Sequence, residues 1–114
     1  MSESKLQIAM VKWFSFFYPK RFLMAIPNGG NRNPITGAIL KAEGVRAGVA
    51  DLFLMEAIEP YHGLWIEVKL EKGRQSDKQK EFEKIATAKG YKYIIVRTMD
   101  QFRDGVNDYL QNKI

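Results

Sequence analysis

GLWIEVKL, residues 63–70, carries Leu64, Ile66, Val68 and Leu70 at alternate positions, with Trp65, Glu67 and Lys69 between them. Side chains of a β-strand alternate between two faces. The four aliphatic residues therefore line one face, while the indole, the carboxylate and the ammonium share the other. A solvated face is the ordinary reason for an acid and a base at i and i+2. A second reason requires another carboxylate, brought beside Glu67 by a neighbouring strand. Asp51 opens the preceding apolar run, DLFLM at 51–55, and is placed to do this. Two carboxylates with no His or Cys nearby make a hard oxygen site suited to Mg²⁺ or Mn²⁺. Lys69, on the face of Glu67, can orient or deprotonate a water and offset charge growing on a phosphate.

Working outward, residues 4–18 predict a helix. Its apolar arc is wider than one core face needs, which points to burial on two sides. Arg21–Ile26 reads as a strand, and PNGGNRNPITG at 27–37 is dense in turn residues. A short helix over Thr36–Ala42 precedes the strands DLFLM and LWIEVKL, which are joined through EPYHG. Ser76 is a good N-cap for a helix running to Lys89, with Gly90 as its stop. Tyr91–Arg97 is a strand and Asp100–Asn112 a final helix. The order α-β-(α)-β-β-α-β-α specifies an α/β fold, a mixed sheet flanked by helices.

The 114 residues suit a single domain spanning 1–114, and 46% apolar content is enough for a core. Absence of cysteine excludes disulfides and thiolate zinc sites and fits a reducing compartment. One histidine, His62, cannot build a histidine metal cluster. The polar start, Met1-Ser2-Glu3-Ser4-Lys5, is not the basic end of a signal peptide. The most apolar run, Leu6–Tyr18, is interrupted by Gln7, Lys12 and Ser15 and is shorter than the ~20 residues of a membrane span. A cytoplasmic protein without a membrane segment is expected. Net charge of +5 favours a polyanionic partner.

GVADLFL at 48–54, then WIEVK at 65–69, resembles the PD-(D/E)xK nuclease signature. With ESKLQ at 3–7 and SDKQ at 76–79, in this order and at this length, the chain resembles the small stand-alone VRR-NUC (virus-type replication-repair nuclease) proteins. The resemblance covers nearly the whole chain. Ala50 stands where the signature has proline, a position that shapes strand entry and offers no ligand.

The resemblance implies a restriction-endonuclease-like fold with an α-β-β-β-α-β core, and metal-assisted hydrolysis of a DNA phosphodiester. It implies Asp51 and Glu67 as metal ligands with the Val68 carbonyl as a third. Lys69 would position the water, Glu3 would bind the metal directly or through water, and Gln79 would orient Lys69 or the water. The stand-alone members also resemble Holliday-junction resolvases in organisation. This implies a homodimer acting on branched DNA, including four-way junctions, and the surplus apolar arc of the first helix fits self-association.

Competing readings remain at several positions. Asp51 can cap a strand start. Glu67 and Lys69 can form an ordinary ion pair. Glu3 can favour a helix N-terminus. Ser76-Asp77-Lys78-Gln79 has the S-x-x-Q form of a capping box, which would occupy Gln79 without chemistry. Lys72 and Arg74 follow the Glu67 strand directly, and Lys41 and Arg46 precede Asp51; all four are candidates for phosphate contacts. Asn28 and Arg32 could reach DNA from the glycine-rich turn. No recognition helix or zinc finger is evident, so base-specific readout is not expected. A flap or single-strand nuclease, or a non-catalytic nucleic-acid-binding module of the same fold, are the alternatives.

Overall fold

The computed structural model describes residues 1–27 and 34–112. Helix α1 spans Glu3–Phe17; the Ser2 hydroxyl caps it by accepting from the Lys5 N–H at 3.1 Å. Strand β1, Leu23–Ala25, follows, then helix α2, Pro34–Ala42. Proline suits the first helical position, where its missing N–H has no partner to lose, and α2 accordingly starts two residues earlier than the sequence pattern suggests. Strands β2 (Leu52–Leu54) and β3 (Leu64–Val68) precede helix α3 (Asp77–Ala88), strand β4 (Lys92–Val96) and helix α4 (Met99–Leu110). The expected elements are all present in the expected order.

The strands form one sheet in the order β1-β2-β3-β4. The first two pairings are antiparallel, with Leu23 opposite Leu54 and Leu52 opposite Ile66. β3 and β4 are parallel, with Trp65 opposite Tyr93 and Glu67 opposite Ile95. Parallel neighbours require a crossover, and α3 supplies it.

Alternation along the strands divides the interior in two. On one face Leu52, Leu54, Leu64, Ile66, Val68 and Val96 pack against Leu6, Met10 and Phe14 of α1 and Phe102, Val106 and Tyr109 of α4. α1 is held to α4 further by the Tyr18 hydroxyl, which donates to Asn107 Oδ1 at 2.5 Å. The opposite face is covered by α3: Ala50, Ala86 and Tyr93 are buried there, with Trp65, Phe82, Tyr91 and Ile95 packed around them. Trp65 meets Phe82 edge-on, with ring centroids 5.0 Å apart. The solvated face that the acid–base alternation ordinarily signals does not form, because α3 lies over it and Glu67 is 0% exposed.

The wide apolar arc of the first helix divides between core and surface. Phe14 is buried and Trp13 packs partly into the core, whereas Ile8, Phe16 and Phe17 stay exposed. Phe22 lies in the connection from α1 to β1, and it, Phe16 and Phe17 are all more than half exposed. No described helix is long and apolar enough to cross a membrane.

The segment before Asp51 is pinned against α3 by Gly48. Its φ is +87°, and a Cβ there would lie 2.5 Å from the backbone carbonyl of Lys78. Gly44 also has positive φ, +102°, but with nothing within 4 Å of its Cβ position. Gly48→Ala therefore suffers a backbone clash that Gly44→Ala does not, an extra cost of about 1–3 kcal/mol. Urea denaturation of the two variants should show Gly48→Ala the less stable; equal midpoints would mean the loop moves freely away from α3.

Candidate active site

The antiparallel ladder brings Asp51 to Glu67. Leu52 pairs with Ile66, so one step further along β2 places Asp51 opposite Glu67. Asp51 Oδ2 accepts the Val68 N–H at 2.8 Å. Within a strand, a residue's N–H and C=O leave from the same edge, so the Val68 carbonyl also projects on the Asp51 side. The Lys69 N–H turns the other way and donates to the Val96 carbonyl at 3.0 Å.

Glu67 is held through one oxygen. Its Oε1 accepts from the Tyr93 hydroxyl at 2.5 Å and from Gln75 Nε2 at 3.0 Å. The second hydrogen of the Gln75 amide reaches Glu83 Oε1 at 2.9 Å. Glu67 Oε2 is buried and has no hydrogen-bond partner among the described residues; Lys69 Nζ lies 4.0 Å away. A buried carboxylate oxygen without a hydrogen bond is costly unless something compensates it, and an ion pair at the 4.0 Å limit does so weakly.

Asp51 and Lys69 open onto a cleft of about 530 Å³, which Gln7, Ala25, Ile26, Pro27, Gly48, Val49, Ser76 and Gln79 complete. Glu67, fully buried, does not line it. Burial raises the Asp51 carboxyl above its ordinary range; the Val68 hydrogen bond opposes this, and the nearby charges of Glu67 and Glu3 add to it. Burial and its bond to Glu67 push the Tyr93 hydroxyl well above the usual phenol range, so it stays a donor. Glu3 is exposed in the first turn of α1, and its charge is felt at Asp51.

Gln79 stands at the cleft and in a complete capping box. The Ser76 hydroxyl accepts the Gln79 N–H at 3.1 Å, and Gln79 Oε1 accepts the Ser76 N–H at 2.8 Å. Its amide oxygen is thereby committed to the cap, a bond in which the NH₂ group takes no part.

The cations fall into two groups. Lys41 and Arg46, with Lys78, line a groove of about 620 Å³ between α2 and α3. Lys72 and Arg74 are exposed on the β3–α3 turn. That turn is shaped by the Arg97 guanidinium, which donates to the Leu70 and Gly73 carbonyls at 2.7 and 2.6 Å. Asn28 and Arg32 lie outside the described residues.

Three residues of the neighbourhood were not singled out by sequence. Gln7 follows Glu3 by four, one helical turn, and so reaches the same side. Tyr93 is the diagonal neighbour of Glu67 on the α3-facing side, a relation the strand register determines. Gln75 precedes the helix cap and carries no sequence signal for its contact.

The donor set fits a hard divalent ion. Among the described residues no group of three or more His, Cys, Asp or Glu side chains could hold a metal. The set is thus a carboxylate pair with an orphan buried oxygen and an adjacent backbone carbonyl. Mg²⁺ is commonly held by only one or two carboxylates, keeping several waters.

No protein-family model and no curated protein matches the sequence. Among solved structures, a chain described as "VRR_NUC domain protein" aligns with a TM-score of 0.81 and 23% identity, over 97% of this chain and 89% of that one. The expected restriction-endonuclease-like fold is therefore present.

The Asp51 environment has a thermodynamic consequence. A carboxyl raised above its unfolded value of 3.8 binds its proton more tightly when folded. Stability is therefore lost as pH rises through the interval between the two values, and the ionised group remains a liability above it. Asp51→Asn keeps an acceptor for the Val68 N–H and removes the charge. In EDTA, its melting temperature relative to wild type should rise from about pH 3 to about pH 7 and end at or above wild type. A variant melting well below wild type at neutral pH would make Asp51 a stabilising strand cap.

Proposed function

We propose that the chain is a Mg²⁺- or Mn²⁺-dependent DNA endonuclease that acts on branched DNA as a homodimer. The carrying observation is the convergence of Asp51, Glu67 and Lys69, with one buried oxygen of Glu67 left unpaired toward Lys69. Asp51, Glu67 Oε2 and the Val68 carbonyl would hold the ion, with Glu3 contributing directly or through water. A divalent ion held there would supply electrophilic stabilisation to a phosphodiester.

The chain's own residues supply the rest. Lys69, its side chain only 13% exposed, positions the attacking water and offsets charge on the phosphate from a poorly solvated place where that charge is felt strongly. The NH₂ group of Gln79 is the part of that side chain free to assist. Lys41, Arg46, Lys72 and Arg74 hold the DNA backbone. Phosphate contacts of this kind carry affinity rather than sequence preference.

The second reading is a structural one. Glu67 and Lys69 can serve as a buried ion pair in a non-catalytic DNA-binding module, and their 4.0 Å separation favours that reading as well. Incubating labelled duplex, flap and four-way-junction DNA with Mg²⁺, Mn²⁺ or EDTA separates the two. Cleavage should require the metal. Lys69→Met should lower kcat at least about a hundredfold, the scale of a lost acid–base or electrostatic group. Gln79→Ala should lower it about tenfold, roughly 1.4 kcal/mol in the barrier. DNA binding without metal-dependent cutting would leave the binding module.

Dimerisation rests on the exposed corner of Phe16, Phe17 and Phe22. Large aromatics are enriched in interface cores, and a four-way junction must be cut on two opposed strands. A two-fold dimer offers two equivalent sites through one self-complementary patch. Sedimentation at micromolar concentration should give a dimer, and Phe16→Glu with Phe22→Glu should give a folded monomer that nicks junctions without resolving them. A wild-type monomer of 13.1 kDa that cuts flaps as well as junctions would point instead to a flap or single-strand nuclease.

A further inference from the structure

We infer that Tyr93 and Gln75 restrict Glu67 to one free oxygen and thereby select a small octahedral cation over Ca²⁺. The inference rests on the metal-dependent reading of the site and adds its ion specificity. Two donors converge on Glu67 Oε1: the Tyr93 hydroxyl at 2.5 Å and Gln75 Nε2 at 3.0 Å. Tyr93 is 8% exposed and Glu67 0%, so neither has water to exchange for the other. Gln75 is itself fixed from its far side by Glu83 Oε1, at 2.9 Å. With Oε1 occupied twice, Oε2 is the oxygen left for a ligand.

A carboxylate restricted in this way ligates through a single oxygen. Mg²⁺ and Mn²⁺ accept that readily, and Mg²⁺ demands a near-ideal octahedron at about 2.0–2.1 Å. Ca²⁺ takes about six to eight oxygens at about 2.3–2.6 Å and gains from bidentate carboxylates. The two hydrogen bonds therefore withhold from Ca²⁺ the second oxygen it would use. Tyr93 and Gln75 are positioning residues, acting on the ion through Glu67, and Glu83 supports Gln75. A carboxylate opposite Glu67 without such a lock would discriminate less between the ions.

Calorimetric titration of the DNA-free protein with MnCl₂ and, separately, CaCl₂ tests this. Tyr93→Phe and Gln75→Ala should each tighten Ca²⁺ binding about fivefold or more while Mn²⁺ affinity changes less than about twofold, because only Ca²⁺ gains a ligand. A purely structural role would lower the melting temperature without moving the ratio of the two affinities. If Tyr93→Phe does not fold, Gln75→Ala, at a half-buried position, carries the comparison. An unchanged ratio in the folded variants, with Mn²⁺ binding still abolished by Asp51→Asn, overturns the selectivity inference and leaves the nuclease reading standing. A wild type that binds neither ion overturns both.

Discussion

A carboxylate with no solvent exposure sets the terms for everything around it. Glu67 lies under α3, where an ionised group loses several kcal/mol of hydration. Two hydrogen bonds to a charged group return about 1.5–3 kcal/mol each, and both go to Oε1. The oxygen they do not reach, Oε2, is the one proposed to bind the ion. A fold that needed Glu67 only for stability would do as well or better with an apolar side chain of similar volume. An ion bound at Oε2, as proposed, would offset the cost of burying this carboxyl group.

The same crossover that buries Glu67 also builds one wall of the cleft. β3 runs out of the sheet through Lys69 into the turn that carries Lys72 and Arg74. Arg97, just past the end of the parallel partner β4, fastens that turn by its carbonyls. The chain then enters α3 through a capping box whose two members, Ser76 and Gln79, stand at the cleft. On the other side, Gly48 lets the segment before Asp51 touch the first turn of α3 at van der Waals limits.

α1 has two duties that account for its wide apolar arc. Leu6, Met10 and Phe14 complete the main core, while Gln7 lines the cleft and the charge of Glu3 is felt at Asp51. Its C-terminal turn leaves Phe16 and Phe17 exposed, as is Phe22 in the connection that follows. One helix thus joins the sheet, the candidate site and an exposed aromatic corner, so an occupant of that corner would sit on an element rigidly connected to the cleft.

Much of this was legible in the chain alone. Alternation in GLWIEVKL and DLFLM places the strands, Ser76 and Gln79 announce the start of α3, and pairing of the two adjacent strands brings Asp51, Glu67 and Lys69 to one place. These features are local, or depend only on adjacent strands pairing, and so leave a periodic mark in the sequence. What the tertiary structure alone decided is that the polar face of β3 is buried rather than wet, that Tyr93 and Gln75 divide the two oxygens of Glu67 into one held and one free, and that Phe14 turns inward while Phe16 stays out. Each depends on how α3 and α1 lie across the sheet. That placement is set by the packing of whole faces, and a short stretch with an acid and a base two residues apart reads the same whether water or a helix covers it.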